Sequence, residues 1–195
     1  MSKNVLILVG PICAGKGEVG KILQSQFGYA FYSTSDTLRK IVLQLYGNTD
    51  RKNMESHANH LRKTIGHHAL AQLTADLADQ DPSERIIIDA VRHPGEITYL
   101  RQRYPHTTVL VISASQEIRF QRLKQRNRPG DPQTLAEFIE TDNREMYGTG
   151  EPYAIKYIDC IQMGDYQITN ETTSADLVEN LRQFLHSISN NKLKN

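Results

Sequence analysis

The apolar run Val5-Leu6-Ile7-Leu8-Val9, followed at once by Gly10-Pro11-Ile12-Cys13-Ala14-Gly15-Lys16, constrains this chain more than any other stretch. A short continuous apolar run reads as a strand buried on both faces. Glycines let the backbone reverse directly after it, and Val19, Ile22, Leu23 and Phe27 then recur at helical spacing. Strand, glycine-rich turn and helix in that order have the outline of a G-x-x-x-x-G-K phosphate-binding loop. In such a loop successive N–H groups point at phosphate oxygens, the helix N-terminus adds partial positive charge, and the lysine adds a full one. Gly10, Ile12, Cys13, Ala14, Gly15, Lys16, Gly17 and Glu18 are therefore the candidate cradle, with Cys13 read as a small loop residue without a catalytic role.

The rest of the chain repeats the alternation. Short apolar runs at Val5–Val9, Ala30–Tyr32, Ile86–Ile88, Val109–Ile112 and Tyr166–Ile168 predict buried strands. Between them, Leu38, Ile41, Val42 and Leu45 share a helix face, as do Ile97, Leu100 and Tyr104, then Leu135, Phe138 and Ile139, and finally Leu177, Val178, Leu181, Leu185 and Ile188. His57, Leu61, Ile65, His68 and Leu73 predict one long helix. Strands alternating with helices imply an α/β fold, a parallel sheet covered on both faces. A chain of 195 residues fits one domain, placed at 1–188, with 189–195 as a flexible polar tail. Gln125–Pro132 is polar, basic and rich in turn formers, the composition of a mobile flap.

With 23 Lys plus Arg against 22 Asp plus Glu, the net charge gives no support to a nucleic-acid or acidic-membrane partner. Cys13 and Cys160 make no metal-ligand or disulfide pattern, and no apolar run approaches the roughly 18 residues of a membrane span. A reducing cytoplasm is the expected compartment.

The Gly15-Lys16-Gly17 sequence resembles the loop of nucleoside monophosphate kinases, the adenylate kinase superfamily, where glycine replaces the usual Ser or Thr after the lysine. Those enzymes usually carry Thr next, whereas this chain has Glu18, a carboxylate that repels phosphates unless it turns outward or reaches the metal through water. The resemblance implies a three-layer P-loop kinase fold with a five-stranded parallel sheet and a short arginine-bearing lid. Ser33-Thr-Ser-Asp-Thr-Leu-Arg39 resembles the same family's S-T-G-D-x-L-R signature, which implies acceptor-binding roles for Asp36 and Arg39. Ile86-Ile-Ile-Asp89 places an acid at a strand's carboxyl end, where open α/β sheets bind ligands and where an acid can hold magnesium through water. Arg92 resembles the arginine of the family's D-G-x-x-R segment. His93, before the helix-starting Pro94, reads as a turn residue.

Arg119, Arg122 and Arg126 share one helical face, with Arg128 in the flap and Arg144 on the next helix. They read either as a solvated face paired with Glu117, Glu140 and Glu145, or as the cations that phosphoryl transfer closes over its substrates. The segment from Ile112 to Glu145, with Asp165-Tyr-Gln-Ile-Thr-Asn170, also resembles P-loop kinases related to dephospho-coenzyme-A kinase. Together the two resemblances imply ATP with Mg2+, catalytic roles for Lys16, Asp89, Arg92, Arg122 and Arg126, donor binding by Arg122, and acceptor binding by Asp36, Arg39, Arg92, Arg128 and Arg144. A nucleoside or deoxynucleoside monophosphate is the favoured acceptor, bound by the helical segment 36–79 and a lid at 125–132. Dephospho-coenzyme A is the alternative, with Asp36 or Asp89 as base. A nucleotide-binding regulator without turnover is the rival from another class, and Glu18 is the residue that supports it. Oligomeric state is left open.

Overall fold

The computed structural model describes residues 3–128, 130–151 and 155–192, so Pro129 of the expected lid and 193–195 of the expected tail lie outside the described residues. Each of the five apolar runs forms a strand: β1 (Asn4–Val9), β2 (Ala30–Ser33), β3 (Arg85–Asp89), β4 (His106–Ser113) and β5 (Tyr166–Thr169). They build one parallel sheet in the order β2-β3-β1-β4-β5. The central strand β1 pairs with β3 from Asn4↔Arg85 to Ile7↔Ile88, and with β4 from Asn4↔His106 to Val9↔Val111. After β1 the chain adds β2 and β3 on one side, then crosses to β4 and β5 on the other. Ligands of open α/β sheets bind in the crevice where the order reverses, outside the carboxyl ends.

The two-residue period of β1 divides the core. Val5, Ile7 and Val9 pack on one face against Ala71, Ala75 and Ala78 of α4 (Ala69–Asp79) and Ile97 and Leu100 of α5 (Pro94–Arg103). Leu6 and Leu8 pack on the other against Val19 and Leu23 of α1 (Lys16–Phe27) and Leu177, Leu181 and Phe184 of α9 (Ser174–Lys192). Each Val, Ile, Leu or Phe among them contributes on the order of 1.5–3 kcal/mol through its burial. The sheet is thereby held between two helical layers, the three-layer α/β architecture expected.

The remaining helices are α2 (Thr34–Tyr46), α3 (Arg51–Thr64), α6 (Gln116–Arg126), α7 (Leu135–Tyr147) and the short α8 (Tyr157–Gln162), which no periodicity had announced. The single helix predicted through His57 and Leu73 is instead two, α3 and α4. Gly66, at φ +128, turns the chain through a conformation other residues avoid, so the apolar spacing continues while the helix axis does not. The break lets Ala58 of α3 and Leu70 of α4 close on Leu38 and Val42 of α2 as a small separate core. Residues 189–192, read as tail from their polarity, continue α9. Among the described residues no helix is long and apolar enough to cross a membrane.

Candidate functional site

The loop between β1 and α1 is shaped by contacts that leave its backbone little freedom. Gly10 has φ +151, and a Cβ there would lie 2.1 Å from the Ile112 carbonyl oxygen of β4, so the close approach excludes a side chain. Cys13 adopts φ 59, and Gly15 precedes the first turn of α1 at φ 102. The Lys16 ammonium folds back over the loop and donates to the carbonyls of Gly10 (2.6 Å) and Pro11 (3.0 Å), with the Tyr157 ring centre 5.8 Å away. Burial lowers the lysine's pKa, and the nearby Asp89 carboxylate opposes the shift.

Asp89 ends β3 beside this loop. Burial raises its pKa against the pull of Lys16 and a hydrogen bond from the Ala90 N–H, and its Oδ1 is buried without a hydrogen-bond partner. Glu18 turns outward: its Oε1 accepts from the Ser174 hydroxyl at the start of α9, at 3.1 Å. That contact takes the carboxylate to an exposed position and removes the repulsion its place in the sequence implied.

The arginine stripe divides into different jobs. Arg119 is buried and pairs through Nη2 with Asp142 Oδ2 of α7 at 2.7 Å, while its Nε donates to the Ala114 carbonyl at 3.0 Å and its Nη1 to that of Ile12 at 3.4 Å. It ties β4, the loop and α7 together. Arg122 donates to the carbonyls of Ala14 (3.3 Å) and Asn170 (2.8 Å), beneath the loop. Arg126 makes two bonds to Asp131, at 3.1 and 2.6 Å, and the Arg128 N–H donates to the same carboxylate at 3.1 Å.

Two cavities open at this end of the sheet. One, of about 910 Å³, is lined by the loop from Ile12 to Gly17 with Asp36, Arg39, Asp89, Arg92, Arg122, Arg126 and Arg128. Asp36 and Arg39 are exposed there and form an ion pair with each other. Gly10 and Ala14 support the loop from behind, Ala14 being fully buried. The other cavity, of about 600 Å³, lies between α2, α3 and α7, with Leu38, Met54, Ala58 and Leu70 as its apolar wall and Arg51, Arg62, Arg92 and Arg144 among its polar residues. Ser35, Ala90, Arg92, Asp131 and Glu145 line both.

Arg92 is fixed at that junction from behind. Glu96, fully buried, accepts from the backbone N–H groups of Arg92 (2.7 Å) and His93 (3.1 Å), while His93 Nδ1 accepts from the Gly95 N–H, a reciprocal cap on α5. The Arg92 Nε itself is buried and has no hydrogen-bond partner. Sequence reasoning missed Asp131 and Tyr157 as lining residues, placed Arg62 in the acceptor-binding segment without a role of its own, and took Glu145 only for a partner on a solvated face. Tyr157 follows a stretch without periodicity, so no local signal could have found it. Arg62 sits on the inward face of α3, a signal that was available only once Gly66 was recognised as a break.

A phosphate loop at the carboxyl end of the central strand, between strands that diverge in order, defines a P-loop kinase fold. Residues 9–139 match the AAA domain family. A UPF0200 protein of Methanothermobacter thermautotrophicus is 30% identical over 193 residues, covering 97% of this chain and 93% of that one. The chain therefore belongs to the AAA domain family and to the UPF0200 proteins. Among solved structures, shikimate kinase from Acinetobacter baumannii superposes with a TM-score of 0.56 at 19% identity, covering 95% of this chain and 94% of that one. A gluconokinase from Sinorhizobium meliloti gives 0.56 at 16% identity, covering 98% and 97%. At these identities the likeness is one of fold.

Proposed function

We propose that this chain is an ATP-dependent phosphotransferase acting on a small nucleotide, a nucleoside or deoxynucleoside monophosphate. The observation that supports this best is the junction of the two cavities at Ser35, Ala90 and Arg92, where a donor held by the loop and an acceptor held between α2, α3 and α7 would meet end to end. An apolar wall beside several arginines, in a cavity of about 600 Å³, suits a flat base carrying a phosphate.

In this reading the loop amides and Lys16 hold the β and γ phosphates, Lys16 exchanging the Gly10 and Pro11 carbonyls for phosphate oxygens. Arg122 steadies the donor from below. Arg92 and Arg144, which line the acceptor cavity, hold the acceptor, and Asp36, Arg39 and Arg128, which line the donor cavity, meet its phosphate at the junction; residues 36–79 form its binding segment and 125–132 act as the lid. The Arg126 guanidinium must leave Asp131 to reach substrate, whereas Arg128 is held to that carboxylate only through its backbone N–H. Water exclusion by that movement strengthens every cation facing the transferred group. A phosphate acceptor needs no general base.

The residues fit magnesium. A hard cation of this kind takes oxygen ligands and keeps several waters, and Asp89 Oδ1 is a buried carboxylate oxygen in want of a partner. Among the described residues no three His, Cys, Asp or Glu cluster around a metal position, which leaves the other ligands to phosphate oxygens and water. When bound, the ion neutralises charge on the transferred group.

The runner-up acceptor, dephospho-coenzyme A, is favoured by the same Asp89, whose raised pKa suits it to take a hydroxyl proton. Glu18, the residue behind the regulator reading, is exposed and accepts from Ser174, and ATP binding without turnover is the result that would favour that reading. ADP release from magnesium ATP, measured across nucleoside and deoxynucleoside monophosphates plus dephospho-coenzyme A, tests the proposal with Lys16→Ala as control. Acceptor-dependent turnover that the variant lacks supports it; ATP binding without turnover on any acceptor refutes it.

A further inference from the structure

Tyr157 lines the donor cavity but has no part in the phosphate contacts described above. The residue is only 3% exposed, and its ring centre lies 5.8 Å from the Lys16 ammonium. Two contacts fix it there. The N–H of the preceding Lys156 donates to the Arg92 carbonyl at 3.2 Å, which holds the start of α8 beside the junction of the cavities. Three residues on, Cys160 is fully buried in the core that includes Ile7 and Val9.

The hydroxyl, by contrast, is idle. It makes no hydrogen bond with any described residue, yet it is not sealed from solvent, so it opens on the cavity. A phenol O–H usually finds a partner when buried. The cavity's carboxylates do not supply one: Asp36 pairs with Arg39, Asp131 with Arg126 and Glu145 with Arg51, while Asp89 Oδ1 is itself without a partner. Burial raises the phenol's pKa, Arg92 opposes the shift, and Glu145 and Asp89 add to it, so the group remains a proton donor at neutral pH.

We propose that Tyr157 is a binding residue for the donor's terminal phosphate, its hydroxyl, beside Lys16 and Arg92, donating to a γ-phosphoryl oxygen of ATP; this rests on the reading of the loop as an ATP site. A diphosphate leaves that hydroxyl without a partner. Tyr157 therefore lets the site tell ATP from ADP, a distinction that the loop amides, which also hold the β phosphate, make less sharply.

Calorimetric titration of the full chain with magnesium and either ADP or a non-hydrolysable ATP analogue, before and after Tyr157→Phe, tests the proposal. The variant keeps the ring beside Lys16 and loses only a hydroxyl that has no protein partner, so it should melt with the parent chain. Its affinity for the triphosphate should fall about tenfold or more, the scale of a hydrogen bond to a charged group, while that for ADP stays within about twofold. A variant that binds both nucleotides as the parent does, that loses affinity for both equally, or that melts well below the parent overturns the proposal. A triphosphate-selective loss in a chain that transfers no phosphoryl group to any acceptor sinks the kinase reading and leaves this one standing; a parent chain that binds neither nucleotide sinks both.

Discussion

The two cavities are made of different materials. On the donor side the phosphate cradle is backbone, a glycine loop pressed on Ile112 and a helix start, with carbonyls that hold Lys16 and Arg122 in place, and charged side chains stand around it. On the acceptor side it is side chains from three helices resting on the small core of Leu38, Val42, Ala58 and Leu70. A backbone wall recognises what every nucleoside triphosphate shares, its phosphates. A side-chain wall can change its ligand with two or three substitutions while the fold stays intact.

Four experiments bear on that contrast, in descending order of expected effect. Arg119→Leu should destabilise the chain by about 3–5 kcal/mol, since Asp142 would remain buried without its counter-charge, keeping only the Gln116 amide, and chemical denaturation reads the loss. Its consequence falls on both cavities, because Arg119 joins the loop to α7. Lys16→Ala should leave the fold in place but lower kcat by about 10²–10³-fold, the scale for losing a fixed charge stabiliser, measured at saturating acceptor. Gly10→Ala should cost about 1–3 kcal/mol or prevent folding, whereas Met54→Leu, a volume-conserving change on the acceptor side, should cost less than about 1.5 kcal/mol. Equal losses from those two would erase the distinction between a rigid and an adaptable wall.

The smallest effect expected is a pH dependence. His93 stacks on His67 with ring centres 4.2 Å apart, and burial, then His67 and Arg62, push its pKa down to about 4. A folded pKa below the ordinary value of about 6.5 means that the unfolded chain binds the proton more tightly. The contribution is whole above pH of about 6.5 and is lost as pH falls toward about 4. His93→Asn keeps a helix cap and removes the titration. Its melting temperature should fall less steeply through that window than that of the parent chain; identical slopes would rule His93 out as the source.

The sequence showed the sheet and the donor loop because both rest on local patterns. Apolar runs mark strands whatever surrounds them, and Gly10 and Lys16 are needed at fixed spacing. Helix α8 escaped because six residues are too few to show a period. Arg119 and Arg122 share one helix face in sequence, yet one is buried on Asp142 and the other reaches carbonyls under the loop, a difference set by what α7 and the Asn170 turn bring from far along the chain. Glu18 misled for the same reason: its partner Ser174 is remote in sequence. Arg62 was legible only as part of the acceptor segment, and that it lines one cavity with Leu70 depends on the fold.

The central claim is transfer between two joined cavities, and following the labelled γ-phosphate of ATP tests it most directly. With magnesium, a nucleoside monophosphate and the full chain, the label is predicted to appear in the nucleoside diphosphate, only when acceptor is present. Label released solely as inorganic phosphate, or retained in ATP with every monophosphate offered, would contradict the account.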